Sequence, residues 1–287
     1  MLATSISART GPARPAKSGL TGAILKRIAL APLCGLLLLG AEKLLAVDDP
    51  AVPSQANMTK YGERMHDIFL TAQTRLKEHP DDPAAAWQFA RACFDWADLA
   101  ETKAQRVSIA EQGVAACRAN LARESNSAPS HYYLGMNLGQ IAQTKRLSAL
   151  DLVAQMETEF VLVKTLDPKF DFAGPDRNLG LLYRDAPGWP LSIGNKAKAR
   201  QHLDQCVTLA PEYPENWLNR IEAEVQWGEN SRARDDLKSL DGIWSHARLQ
   251  FTGLEWHSSW ADWNQRRAKL ATQAAESSKS RNGSRRP

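Results

Sequence analysis

The sequence has 287 residues, enough for one large or two ordinary domains. Its 43% apolar and 24% charged content is typical of a folded protein and excludes collagen-like, disordered and polytopic membrane classes. The formal net charge of +4 is carried by the two ends, since residues 47–264 hold 23 basic and 30 acidic residues. Because a body with a net charge of −7 repels phosphates, the composition argues against nucleic-acid binding.

The N-terminal 46 residues combine six basic residues with the apolar run Ile28–Gly40. Thirteen apolar residues are too few to span a bilayer, which needs about 20, but they suit the central region of an export signal. We therefore predict an export signal at 1–46, cleaved near Ala41 or Ala46. The alternative is that the segment stays as an N-terminal anchor. Residues 47–57 are predicted to form a linker.

The region 58–276 has the pattern of a helical domain. Apolar residues recur at spacings of three and four, as in Leu203, Val207 and Ala210, and no long stretch alternates with a period of two. Short clusters rich in proline and polar residues interrupt the pattern and predict antiparallel helical hairpins. The predicted units are a lone helix at 58–79 and hairpins at 83–125, 128–168, 172–211 and 214–241. The basic segment 277–287 lacks apolar residues and is predicted to be disordered.

A 34-residue period relates two of these units. Ala199, Leu203 and Cys206 are matched by Ala233, Leu237 and Leu240, and Leu134-Gly135 is echoed by Leu179-Gly180. This period and these residue types resemble the tetratricopeptide repeat (TPR), a helix pair of 34 residues. The glycines would let the two helices of a hairpin approach closely. We therefore predict an all-α fold, a TPR-like superhelix of antiparallel helical hairpins whose neighbours complete each other's core.

A more specific resemblance covers about 130–230. Its motifs are Gly174-Pro175, Leu179-Gly180 and the loop Ala186-Pro187-Gly188-Trp189-Pro190, followed by Gly194. These resemble the exported TPR proteins associated with tripartite ATP-independent periplasmic (TRAP) transporters, their T component. The resemblance implies a periplasmic helical protein that binds a solute-binding subunit and a small apolar ligand.

The loop around Trp189 allows two interpretations. In the first, Trp189 anchors a rigid insertion in the core. In the second, Trp189 and Ile193 border a ligand or partner pocket. A Trp189→Ala variant distinguishes them through its melting temperature.

Further binding residues follow from the geometry of such a superhelix, in which the first helices of the hairpins line the concave surface. Residues three or four apart share one helix face. The predicted concave stripe comprises Tyr132, Met136, Gln140, Arg177, Leu181, Arg184, Leu218, Glu222 and Gln226.

Three tryptophans, Trp256, Trp260 and Trp263, share one face of a last helix predicted to start near Leu254. We expect this stripe to cap the open end of the solenoid, since terminal repeats must cover an exposed core. The alternative is an exposed aromatic face that docks a partner.

Catalytic and metal-binding patterns are missing from the sequence. Its six histidines form no H-E-x-x-H pair, and neither a nucleophile elbow nor a phosphate loop is present. Cys93, Cys117 and Cys206 are too scattered to bind zinc, and helix geometry places Cys93 and Cys117 out of disulfide reach. They are predicted to be buried small apolar residues. We predict no catalytic activity, cofactor or metal.

The sequence thus predicts a non-catalytic exported TPR scaffold that binds another protein, in its sharper form within a TRAP-type uptake system. The alternative is a membrane-anchored structural or assembly protein of the cell envelope, with membrane contact only through an uncleaved N-terminal segment.

Overall fold

A computed structural model describes residues 55–145 and 149–283. These residues form ten α-helices and no β-strand. The helices are α1 (Gln55–Glu78), α2 (Pro83–Asp98), α3 (Lys103–Leu121), α4 (Ala128–Ala142), α5 (Ala149–Leu166), α6 (Phe170–Asp185), α7 (Lys196–Leu209), α8 (Pro214–Gln226), α9 (Asn230–Gln250) and α10 (His257–Gly283). A short 3₁₀ turn, Leu254–Trp256, precedes α10. The predicted all-α class is confirmed, whereas the signal or anchor at 1–46 and most of the linker lie outside the described residues.

The helix starts follow from local sequence chemistry. The Asp82 carboxylate accepts a hydrogen bond from Ala84 N at 2.8 Å, and Asn195 Oδ1 accepts one from Lys198 N at 3.0 Å. Pro83 and Pro214 occupy the first turns of α2 and α8, where a missing N–H costs nothing. Caps and prolines therefore set most of the hairpin boundaries.

The helices pair as α2–α3, α4–α5, α6–α7 and α8–α9, with α1 packed on α2. These pairs match the predicted hairpins and lone helix, except that α9 continues to Gln250, past the predicted end of the last hairpin at 241. A Cβ on Gly135 would lie 2.8 Å from the Phe160 ring, and one on Gly180 would lie 2.8 Å from Leu203. Since Phe160 and Leu203 lie on the second helices of their hairpins, the glycines permit the predicted close approach.

Two hydrophobic clusters form the core. The first joins α1 to α6 through residues such as Phe89, Tyr133 and Phe160, and the second joins α7 to α10 around Tyr213, Phe251 and Trp263. Residues of α6 contribute to both clusters. This helix therefore lies at the seam between the two halves of the solenoid.

The last helix extends beyond the predicted domain end at 276 and runs to Gly283. The sequence between these points contains no proline or glycine that would stop a helix, although it has no apolar residue. Residues 277–283 are therefore helical, in contrast to the disorder predicted from residue 277 onward. Residues 284–287 lie outside the described part. Within 55–145 and 149–283, no helix is both long and apolar enough to cross a membrane.

Candidate partner-binding surface

Side chains of the first helices contact one another from hairpin to hairpin. Asn137 on α4 donates to Ala90 O on α2 at 2.8 Å, and Asn178 on α6 donates to the Tyr132 hydroxyl at 3.2 Å. Further along, Arg177 on α6 donates to Asn216 on α8 at 3.2 Å. We call this continuous series on α2, α4, α6, α8 and α10 the inner row. It follows the side on which the sequence predicts the concave surface.

Arg177 is the centre of the inner row. Its guanidinium is fully buried and donates to the Asp171 carboxylate at 2.6 Å, to the carbonyl oxygens of Asp171 and Phe172, and to the Tyr132 hydroxyl. It also lies 5.3 Å from the Tyr213 ring centroid. Although burial opposes the charged form, the neighbouring Tyr132, Asp171, Tyr213 and Glu215 raise the pKa of Arg177 above its ordinary value. Arg177 therefore holds charge inside the fold and does not present it to a ligand.

The carbonyls that Arg177 binds belong to a left-handed turn. Asp171, Phe172 and Ala173 have φ values of 51°, 56° and 60°, which are uncommon for residues other than glycine. The turn divides its aromatic neighbours between the two cores. Phe170 packs against Tyr132 in the first cluster, and Phe172 stacks on Tyr213 in the second. Arg177 thus fixes the backbone at the seam of the molecule.

Gly174 lets Tyr132 reach this turn. A Cβ at position 174 would lie 2.5 Å from the Tyr132 hydroxyl, which donates to Asp171 at 2.5 Å. The pKa of Tyr132 is raised well above its ordinary value, first by burial and then by the Asp171 charge. Tyr132 is therefore a neutral hydrogen-bond donor that stabilises the seam.

A second charged cluster lies where α6, α8 and α10 meet. Arg266 donates to Glu222 at 2.8 Å, to Glu215 at 2.8 Å and to Asn219 at 2.7 Å, and Trp263 Nε1 donates to Glu215 at 2.7 Å. Arg184 lies 4.0 Å from Glu222 and forms a bidentate pair with Asp185. The last helix therefore completes the inner row with a cation of its own.

The first hairpin continues the row with charged side chains that sequence reasoning missed. Arg91 and Asp95 on α2 pair at 3.6 Å and are each less than a fifth exposed. Near them, Arg106 donates to Gln140 at 2.6 Å and to Gln143 at 3.2 Å. The i, i+4 spacing of Arg91 and Asp95 could have indicated this ion pair. It was missed because the first hairpin matches the repeat pattern poorly.

The structure places the predicted concave residues in two environments. Seven are buried among neighbouring helices: Tyr132, Met136, Gln140, Arg177, Leu181, Arg184 and Leu218. Glu222 is partly exposed and Gln226 is exposed. The apolar members of the stripe therefore pack inward, and the accessible part of the inner row is polar and charged.

The loop between α6 and α7 corrects one prediction. Trp189 is 89% exposed, so the interpretation that it anchors the loop in the core is wrong. The backbone fixes the loop instead, because Gly194 N donates to Pro187 O at 2.8 Å and Asn195 N donates to Tyr183 O at 2.8 Å. Ile193 is the loop residue that packs against the first core cluster. Trp189 and Ile193 thus lie in different surroundings, and the pocket that they were predicted to border stays a prediction.

The C-terminal tryptophan stripe is mostly buried. Trp263 is fully buried, Trp260 is 9% exposed, and both pack with Trp256, Tyr213 and Phe251 in the second cluster. This is the arrangement expected of a cap and not of a free docking face.

The three cysteines Cys93, Cys117 and Cys206 are free and buried, as predicted, and burial raises the pKa of Cys206 to about 12.

Comparison with known proteins agrees with this architecture. A thermophilic TPR protein from Thermus thermophilus superimposes with a TM-score of 0.52 at 17% sequence identity, covering 77% of this chain and 97% of its own. The chain has a TPR-like fold. This confirms the predicted repeat architecture, since the likeness at that identity concerns the fold alone.

The family model for regulator of microtubule dynamics protein 1-3 matches residues 54–149, about a third of this TPR-like chain. That segment spans α1 to α4 and ends before the seam and the Trp189 loop. No curated protein matches the chain.

Proposed function

We propose that this protein is a non-catalytic scaffold that binds a polar, extended segment of another protein along its inner row. The observation that carries the proposal is the chemistry of the row's accessible side chains. Arg91, Asp95, Asp98, Glu222 and Asp262 are partly exposed, and they place one cation and four carboxylates on the inner-row helices α2, α8 and α10.

Such a row suits a partner that offers both charges and backbone amides. Charged and polar groups of both signs confer specificity on an interface and disfavour partners with mismatched charges. The apolar residues Tyr132, Met136, Leu181 and Leu218 are packed away, so a polar segment fits the surface better than a small apolar ligand.

The test uses a photo-crosslinking amino acid at Gln226, an exposed residue at the end of α8, in the full-length protein in its native cells. The matched control carries the same amino acid at Gln201, which is exposed on the outer helix α7. We expect Gln226 and not Gln201 to capture one defined protein. Binding of the purified partner should then weaken in Glu222→Gln, and equal capture at both positions would contradict the proposal.

The finer form of the proposal places the scaffold in the cell envelope, beside a TRAP-type solute-binding subunit. It is supported by the motifs around Gly174, Leu179-Gly180 and Trp189, and by the apolar run in 28–40. N-terminal sequencing of the native protein should find a start at residue 42 or 47. The genes beside its own should encode a solute-binding protein and TRAP membrane subunits, and purified solute-binding subunit should bind the scaffold. Failure of that last interaction would leave the general scaffold proposal standing and reject the transport role.

A further inference from the structure

One edge of the solenoid carries the start of the first described helix, the end of the last one and an exposed apolar tip. Because consecutive helices are antiparallel, the turns 99–102, 186–195 and 227–229 lie on the edge where α1 begins and α10 ends. We call this the terminal edge. The turns 79–82, 122–127, 167–169 and 210–213 lie on the opposite edge.

The apolar tip is the loop between α6 and α7. Trp189 and Leu191 are 89% and 70% exposed, which makes them, with Leu249, the most exposed large apolar side chains of the described residues. The tip is held in place because Leu191 N donates to Gly188 O at 3.1 Å, and Gly194 N donates to Pro187 O at 2.8 Å. A fixed apolar tip in water is unfavourable unless something covers it.

Exposed lysines lie at the same edge as this tip. Lys103, Lys145, Lys196 and Lys198 all lie at the terminal edge and are exposed. The acidic residues at this edge are Glu101 and Asp151, which are exposed, and Asp98, Asp185 and Glu229. The last three are paired, with Arg106, with Arg184, and with Lys196 and Arg200 respectively. The terminal edge is therefore positive, although the body from 47 to 264 is acidic.

The opposite edge has the reverse charge. Its turns carry five acidic residues against two basic ones: Asp81, Asp82, Glu124, Asp167 and Glu212 against Arg123 and Lys169. This separation of charge orients the molecule in an electric field, with the terminal edge toward an anionic surface.

The chain ends point the same way. The first described helix begins at the terminal edge, so an N-terminal segment that stays uncleaved would tether the protein at this edge. The basic C-terminal segment leaves the fold there as well. A tether at either end would therefore bring Trp189, Leu191 and the lysines to the surface that holds it.

We propose that the terminal edge lies on an anionic lipid bilayer. Trp189 and Leu191 enter the headgroup region, where tryptophan partitions favourably, and Lys196 and Lys198 contact the lipid phosphates. A protein with an apolar socket is the competing occupant. The combination of a small apolar tip, several lysines and a basic C-terminal segment favours lipid. The contact is separate from the inner row, so it stands or falls independently of the proposed scaffold function.

The test places an environment-sensitive fluorophore, nitrobenzoxadiazole, at position 191 of the full-length chain. Leu191→Cys is labelled in a Cys34→Ser background, because Cys93, Cys117 and Cys206 are buried and unreactive in the folded protein. Phosphatidylcholine vesicles with and without phosphatidylglycerol are the probe. The matched control carries the fluorophore at Lys169→Cys, on the opposite edge.

We expect a blue shift at position 191 on vesicles with phosphatidylglycerol and none at position 169. The shift should be largely lost at about 1 M salt, where the Debye length is only ~3 Å. It should also be largely lost when Lys196→Gln and Lys198→Gln are combined. If the N-terminal segment binds the vesicles while position 191 stays unshifted, the lipid contact is refuted and a protein socket becomes the occupant. Equal shifts at both edges would refute the proposed orientation.

Discussion

Arg177 shows at the scale of one residue how the inner row depends on buried charge. It is fully buried and bonded to the Asp171 carboxylate, to two carbonyls of the left-handed turn and to Asn216. A buried pair contributes little net stability against an apolar replacement of both members, but the loss of one member leaves an uncompensated charge.

The first prediction concerns this residue. Arg177→Met should lower the free energy of unfolding by about 3–5 kcal/mol, because Asp171 is left buried without its cation. Urea unfolding followed by circular dichroism measures the loss. Arg75→Met is the matched control, since Arg75 pairs with Asp82 at 2.9 Å at an exposed site and such a pair is worth about 0–1 kcal/mol. Similar losses in the two variants would contradict the role given to Arg177.

Glu224 is a second buried charge, with a different consequence. It is buried beside Asp236, and Arg232 lies 3.1 Å from its carboxylate. Burial, and then the Asp236 charge, raise the pKa of Glu224 from its ordinary 4.5 to about 8, despite the opposing effect of Arg220 and Arg232. The folded state therefore binds a proton that the unfolded state has already lost between these two pH values.

The second prediction follows from the sign of that shift. Because the folded pKa is the higher one, ionisation of Glu224 destabilises the fold progressively as pH rises from about 4.5 to about 8, and fully above that range. Glu224→Gln should therefore raise the melting temperature above pH 8 and have no effect near pH 4.5. Thermal unfolding across this range tests it, with the exposed Glu111→Gln as control. A gain that does not grow with pH would contradict the assignment.

At the scale of elements, the α6–α7 loop is held by its backbone and not by its aromatic side chain. A Cβ at Gly194 would lie 2.7 Å from Pro187 O and still closer to Ala186 O, whereas the nearest atom to a Cβ at Gly188 is 3.7 Å away. The two glycines of the motif therefore have different roles, although the sequence presents them alike.

The third prediction separates these roles. Gly194→Ala should lower the melting temperature, because backbone atoms cannot move aside as a flexible side chain can. Gly188→Ala and Trp189→Ala should leave it nearly unchanged, since the first has room and the second removes an exposed ring. Differential scanning calorimetry of the three variants is the measurement. A large loss in Trp189→Ala would restore the anchoring interpretation.

Sequence spacing predicted the helices and hairpins better than the side-chain contacts of the inner row. Proline clusters and helix caps locate the hairpins, and the glycines at 135 and 180 indicate close packing, because these effects depend on neighbouring residues. The inner row depends on residues far apart in sequence: Arg266 binds Glu222 across 44 positions. The left-handed turn at 171–173 contains no glycine, so its sequence does not indicate positive φ values. Spacing grouped Tyr132 and Leu181 into one predicted stripe but could not show that neighbouring helices bury both side chains.

At the scale of the whole molecule, the two core clusters allow the two halves of the solenoid to lose stability separately. Each repeat contacts mainly its neighbours, so stability is expected to be a sum of local contributions coupled across interfaces. The seam at α6 joins the clusters through Phe170 on one side and Phe172 on the other. A lesion at the C-terminal end should therefore weaken the second cluster before it affects the first.

Trp263→Ala provides the fourth prediction, which tests whether the two halves lose stability separately. Trp263 is fully buried and its indole N–H donates to Glu215, so truncation should cost about 3–5 kcal/mol and leave the Glu215 carboxylate one donor short. Hydrogen exchange with mass spectrometry should show lost protection across α8, α9 and α10, with α2 to α4 protected as in the wild type. Leu249→Ala, at a 79% exposed position of α9, is the matched control and should change protection little. A uniform loss along the chain would instead mean that the seam transmits the lesion and that the ten helices unfold as one unit.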